Sequence, residues 1–242
     1  MLDRNYILGI KLMKAPAEGS YLRDMPPVKH LQRAGQLMFT KPVTFLAGEN
    51  GSGKSTLLEA IAVASGFNGE GGSRDFSFST RRTHSELCEL IMTIKTVSPR
   101  DGFFLRAESF YNAASYLDDS GSLLTRYGGV SLHKQSHGEA FMSLITNRFE
   151  GEGLYLLDEP ESALSPQRLL SLLCVMDRLV KQNSQFIIAT HSPILMAYPN
   201  ACILLLSDEG IKEVAYRETE HYQVTKQFMD NPERMIKYLL ED

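Results

Sequence analysis

Gly48-Glu49-Asn50-Gly51-Ser52-Gly53-Lys54-Ser55-Thr56 sets a glycine, four free positions and then Gly-Lys-Ser, the spacing of a phosphate-binding loop. Phosphates carry concentrated negative charge, and a helix N-terminus meets them with unpaired N–H groups and a positive dipole end. Gly48, Gly51 and Gly53 let the backbone curl around the anion without Cβ clashes. Lys54 then reaches the β- and γ-phosphates, and the Ser55 hydroxyl is placed to ligate Mg²⁺. Glu49, Asn50, Ser52 and Thr56 complete the set of candidate nucleotide-binding residues.

Two further runs end in side chains suited to the same chemistry. Leu154-Tyr155-Leu156-Leu157-Asp158-Glu159 is an apolar strand closing on two adjacent carboxylates. At a strand's C-terminal edge Asp158 can hold Mg²⁺ beside Ser55, while Glu159 orients and deprotonates an attacking water. Taken alone, this is also the pattern of a strand followed by an acidic turn. Ile187-Ile188-Ala189-Thr190-His191-Ser192 is a second apolar strand with a histidine at its end. A lone histidine is more often structural, but here neighbouring strand ends carry Lys54 and Glu159 to one edge, which favours a γ-phosphate contact.

These side chains need elements to hold them. Residues 42–47 are rich in β-branched and aromatic types and predict a buried strand, and Leu57, Leu58, Ile61 and Ala62 fall at helical spacing after the loop. The glycines therefore sit at a strand-to-helix turn. Upstream, the pattern predicts a strand over 6–12 and a helix over 28–37; Arg23 and Asp24, between them, lie where a base could rest or form a solvated turn. Residues 66–80 read as a long Gly/Ser-rich loop ending at Arg81 and Arg82, candidates for phosphate contact against the plainer reading of a solvated face. Strands are predicted over 86–96 and 102–107 and a helix over 110–124, broken at Tyr127-Gly128-Gly129.

The second half is more regular. A helix is predicted over 138–149, a central strand over 153–157, and a helix opened by Ser165 as N-cap and Pro166 as N1. Leu169, Leu170, Leu173, Met176 and Leu179 are assigned to its buried face. Strands over 185–190, 201–206 and 211–216 follow, the last two as a hairpin, and then one or two helices, the last capped by Asn231-Pro232.

Composition narrows the setting. The 242 residues suit one large α/β domain, and a hydrophobic share of 43% is ample for a packed core. A net charge of −4 gives no global basic field for nucleic acid. Cys88, Cys174 and Cys202 are scattered in apolar stretches and read as buried thiols of a reducing compartment. No apolar run is long enough to span a bilayer, the N-terminus lacks a signal-peptide layout, and a cytoplasmic location is expected. No internal repeat or heptad array predicts a long coiled coil.

With these motifs in order, the chain resembles an ATP-binding cassette (ABC) ATPase over nearly its whole length. Pro160-Glu161 and Ser162-Ala163-Leu164-Ser165 resemble the superfamily's loop at the dimer seam. Ser136-His137-Gly138-Glu139 resembles its signature motif, in which the serine, the glycine and the helix N-terminus contact the γ-phosphate held by the partner subunit. The wording is closest to stand-alone ATPases related to the SMC, RecF and overcoming-lysogeny branch, on Glu49-Asn50-Gly51-Ser52-Gly53, the run from Asp158 to Ser165, and Thr190-His191-Ser192-Pro193.

The resemblance implies an α/β fold, a P-loop NTPase of ABC type. Its central, mostly parallel sheet would be flanked by helices, with a small antiparallel β part and a helical insertion carrying the signature motif. One domain would span 1–242, with the insertion at about 66–137. It also implies ATP and Mg²⁺ as cofactors, with Lys54, Glu159 and His191 catalytic and Ser136, Gly138 and Glu139 reaching nucleotide across a dimer. Three departures stand out. The signature lacks its usual second glycine; Glu108, in Arg106-Ala107-Glu108-Ser109-Phe110, is the candidate for the metal-sensing position where relatives carry glutamine; and the segment that holds coiled-coil arms in SMC-like relatives is short.

The leading expectation is an ATP-hydrolysing enzyme that dimerises head-to-tail on two ATP molecules and acts as a switch or motor for a protein effector or DNA, in genome maintenance or defence. A transporter's ATPase subunit and a low-turnover nucleotide-dependent sensor or scaffold are the alternatives. The first would need a groove for a membrane partner, and Glu159 argues against the second.

Overall fold

The structure is a computed structural model, and it describes residues 5–73, 85–107 and 136–241. Two sheets organise it. In chain order come β1 (Ile7–Leu12), α1 (Pro26–Ala34), β2 (Gln36–Met38), β3 (Val43–Ala47), α2 (Lys54–Ala64), α3 (Leu87–Leu90), β4 (Ile91–Lys95) and β5 (Asp101–Arg106). Then follow α4 (His137–Arg148), β6 (Gly153–Asp158), α5 (Pro166–Lys181), β7 (Gln185–Ala189), α6 (Pro193–Met196), β8 (Cys202–Ser207), β9 (Gly210–Val214), α7 (Glu220–Asp230) and α8 (Pro232–Leu240).

The larger sheet has the order β5-β6-β7-β3-β8-β9 and is parallel except for β9, which returns antiparallel on β8 as the expected hairpin. The smaller sheet, β2-β1-β4, is antiparallel. Side chains alternate across a strand, so burial on both faces demands apolar residues at odd and even positions alike. The large sheet meets that demand. Phe45, Phe103, Tyr155, Leu157, Phe186 and Ile188 face one core, with Phe141 and Leu144 of α4 and Leu172 and Met176 of α5. Leu46, Phe104, Leu156 and Ile187 face the other, with Leu57, Leu58 and Ile61 of α2 and Ile10 of the small sheet. Gln185 ties the two sheets: its buried Oε1 accepts from the N–H groups of Tyr6 and Ile7 at 2.8 and 3.0 Å, and its Nε2 donates to the Ile7 carbonyl at 2.8 Å.

The sequence reading differs from the structure at several points. The predicted helix over 28–37 ends at Ala34, because Gly35 takes φ 76°, and Gln36–Met38 pairs with β1 instead. The strand predicted over 86–96 begins only at Ile91. Leu87–Leu90 is a helical turn, started where the Ser85 hydroxyl accepts from the Leu87 N–H. On α5 the buried stripe is Leu169, Leu172, Met176 and Leu179; Leu170 is 55% exposed. A run of Leu169-Leu170 and Leu172-Leu173 offers two adjacent stripes, and the sheet selects one. Of the three thiols only Cys202 is buried; Cys88 is half-buried and Cys174 exposed. Arg81, Arg82, Glu108, the predicted helix over 110–124, the break at 127–129 and residues 74–84 and 108–135 of the insertion lie outside the described residues. Among the described residues, no helix is long and apolar enough to cross a membrane.

Candidate functional site

Parallel strands deliver their C-terminal ends to one edge, and β3, β6 and β7 are consecutive neighbours in that edge. Asp158 pairs with Ala189, and Ala189 with Leu46, so the turns after all three strands start level with one another. Two backbone bonds lace them: Glu159 N–H to the Ala189 carbonyl at 2.9 Å and Thr190 N–H to the Leu46 carbonyl at 3.1 Å.

The turn after β3 is the glycine loop. Gly48, Gly51 and Gly53 take φ of 145°, 80° and 87°, a region closed to most side chains. A Cβ on Gly48 would lie 2.4 Å from the Leu206 carbonyl oxygen, and one on Gly53 2.7 Å from Met25 Cε. Gly53 is the N-cap of α2 and supplies no capping side chain, so the first N–H groups of the helix are left to an outside acceptor. Lys54 is buried and folds back over the loop, donating to the carbonyls of Gly48 at 2.9 Å and Glu49 at 2.8 Å. Burial lowers its pKa, against the pull of the Glu159, Asp158 and Glu161 carboxylates. Ser52 Oγ is buried with no hydrogen-bond partner among the described residues, and Ser55 and Thr56 open the helix half-buried. A cradle of left-handed glycines, a free helix end and a buried ammonium fit a polyphosphate, with Ser55 and Asp158 as oxygen donors for Mg²⁺.

Glu159 stands at φ 47°, a left-handed conformation rare outside glycine, and its side chain is 40% exposed. Its carbonyl accepts from the Ser162 N–H at 3.0 Å and hydroxyl at 2.8 Å, which holds the turn. His191 Nε2 lies 3.7 Å from Glu159 Oε1. Burial, reinforced by the charge of Lys54, pulls the His191 pKa down, so the ring is neutral at pH 7. Glu161 accepts from the His191 N–H, and burial raises its pKa.

Ser136 and Glu139 open α4 in a local box: the Ser136 N–H and hydroxyl donate to Glu139 Oε2 at 3.0 and 2.7 Å. These bonds to Ser136 lower the Glu139 pKa. Gly138 is packed so that a Cβ would lie 2.9 Å from both the Ala163 carbonyl oxygen and Arg168 Nη1, and Arg168 Nη2 is 3.2 Å from Glu139 Oε1. The signature segment thus rests on the turn after Glu159 and on α5, with Ser136 exposed.

Lys54, Asp158, Glu159 and His191 therefore share one sheet edge, as the sequence predicts, while Glu108 lies outside the described residues. Two participants carry no sequence signal. Arg106, level with Asp158 on β5, places Nε 3.4 Å from Asp158 Oδ2 and pairs through Nη1 with Glu59 of α2. His221 of α7 sits 3.0 Å, Nε2 to Nδ1, from His191.

Comparison with known proteins agrees with this geometry. A family model described as "AAA domain" matches residues 28–101, and one described as "AAA domain, putative AbiEii toxin, Type IV TA system" matches residues 127–197. Among solved structures, one described as "an inward-facing conformation of a putative metal-chelate type ABC transporter" superposes with a TM-score of 0.50 at 18% identity, covering 90% of this chain and 87% of that one. The chain has the ABC-type ATPase fold. Its mostly parallel sheet, antiparallel satellite and flanking helices match that architecture, as the sequence resemblance implies. The protein cbiO1 of Clostridium perfringens, part of the ABC transporter complex cbiONQ, matches at 16% identity over 98% of this chain and 100% of that one, with a TM-score of 0.48. The SMC head domain from Thermotoga maritima matches at 14% identity over 87% and 99%, with a TM-score of 0.46. No curated protein matches the chain significantly.

Proposed function

We propose that the protein binds and hydrolyses ATP with Mg²⁺, and that ATP closes two copies head-to-tail into a dimer that works as a switch for a partner. The observation that carries this reading is the convergence of Lys54, Asp158, Glu159 and His191 on one sheet edge beside an open helix end. The loop from Gly48 to Thr56 would hold the phosphates, and Ser55 and Asp158 the metal, which when bound neutralises phosphate charge. Lys54 would exchange its two loop carbonyls for phosphate oxygens. Glu159, level with His191 and exposed enough to meet water, would orient the attacking water and take its proton. His191, neutral, would donate one N–H to the γ-phosphate.

An exposed Ser136 at a helix start supports the second half of the reading. In each site Ser136, Gly138 and Glu139 would come from the other copy, an anion-binding helix end presented across a twofold. Relation to the SMC and RecF branch, a cytoplasmic setting and work on DNA or in defence belong to this proposal. The match to a domain described for a type IV toxin–antitoxin system favours defence.

The test is the solution mass of Glu159→Gln with and without ATP-Mg²⁺. A monomer that becomes a dimer only with ATP supports the switch. A mass unmoved while nucleotide is bound would refute ATP-gated self-association and favour a low-turnover sensor.

A further inference from the structure

Thr219 is fully buried and caps α7, its hydroxyl accepting from the Tyr222 N–H at 3.3 Å, which places His221 in the helix's first turn. There the His221 ring meets His191: Nε2 to Nδ1 is 3.0 Å, and the rings are tilted by 55°. The pair borders a cavity of about 520 Å³ lined also by Glu49 and Asn50 of the phosphate loop and by Glu220, Val224 and Thr225 of α7. Among the described residues, the two outer nitrogens, His191 Nε2 and His221 Nδ1, are buried without hydrogen-bond partners.

Two neutral imidazoles can share that contact in two ways, since each has one donor and one acceptor. If His191 donated from Nδ1, its Nε2 would turn a lone pair toward the Glu159 carboxylate 3.7 Å away, and toward any phosphate above it. If His221 donates instead, His191 carries its proton on Nε2 and faces both anions with an N–H. Burial, first, and the charge of Lys54 keep both rings neutral, so the choice between these arrangements is a real one. The Glu159 charge selects the second.

We propose that His221 is a positioning residue, donating from Nε2 to His191 Nδ1 and so fixing His191 with its Nε2–H toward Glu159 and the phosphate end of the site. This rests on the ATPase reading for its purpose but not for its geometry. The hydrogen bond also ties α7 to the turn after β7.

Long-range ¹H–¹⁵N spectra of the full chain without nucleotide read the tautomer directly. Wild type is expected to hold His191 as Nε2–H, and His221→Ala to convert it to a mixture. His191 as Nδ1–H in the wild type, or an unchanged tautomer in His221→Ala, would overturn the proposal. In turnover, His221→Ala is expected to lower kcat about tenfold, the worth of one well-placed hydrogen bond, with KM for ATP within about twofold. His221→Gln, which can offer an amide N–H near the same place, should restore most of it, and His221→Ala should add nothing to His191→Ala. Additive losses, or a wild-type kcat in His221→Ala, would count against positioning. Failure of the ATPase reading shows separately, as undiminished hydrolysis in Lys54→Ala, while the tautomer result still decides the role of His221.

Discussion

Replacing Arg106 by methionine keeps the bulk of the stem beside Phe104 and removes a cation that stands between two inward carboxylates. The guanidinium pairs with Glu59 through Nη1 and stands 3.4 Å from Asp158 through Nε, and the Glu59 and Asp158 side chains are only 12% and 7% exposed. Glu59 keeps a bond from the Ser85 N–H at 2.9 Å, but no charge in that bond answers its own. Breaking a buried ion pair by removing one partner costs about 3–5 kcal/mol. Arg106 is itself 20% exposed, so water relieves part of that, and the lower end, about 3 kcal/mol, is the expected loss. For a chain of this size each kcal/mol moves the melting temperature by about 2–4 °C, giving a drop of about 6–12 °C by circular dichroism. Glu59→Gln added to Arg106→Met removes the stranded charge and should recover at least half of the drop, a coupling of about 1.5–3 kcal/mol. A melting temperature within about 2 °C of wild type, or no recovery in the double variant, would refute the reasoning.

Lys54→Ala should weaken ATP binding about 100-fold, about 2.7 kcal/mol, in a titration with a fluorescent ATP analogue, and wild-type affinity would count against the cradle. Gly53→Ala forces a side chain to φ 87° and toward Met25 Cε, so it should cost about 1–3 kcal/mol in urea unfolding and abolish ATP binding. Burial raises the Glu161 pKa, so its contribution to stability is complete below the ordinary glutamate value near 4.3 and is lost as pH rises through the folded-state value. Glu161→Gln should therefore flatten the urea midpoint between pH 4.5 and 8 and raise it at the alkaline end. An unchanged slope would place the titration elsewhere.

What could be read from the sequence, and what could not, separates by the distance over which each feature is encoded. A phosphate cradle needs closely spaced glycines at positive φ and a lysine one residue inside a helix, so Gly48 to Ser55 writes its whole geometry into one stretch. Asp158, Glu159 and His191 are legible for a related reason: each follows an apolar run buried on both faces, and a parallel sheet has one edge where such runs end. Arg106 and His221 obey no such local rule. Arg106 meets Glu59 across 47 residues, and His221 meets His191 across 30, through contacts that exist only once β5 has paired with β6 and α7 has docked. The fold-level misses have the same origin. Leu170 and Leu172 offer equally good helical stripes until the sheet chooses between them, and residues 87–90 suit strand or helix until the Ser85 hydroxyl takes up the Leu87 N–H. The legible part is thus the part that handles phosphate, while the side chains that orient it were chosen by tertiary contact. His221 belongs to that second group, so its tautomer is worth measuring before any further motif is sought.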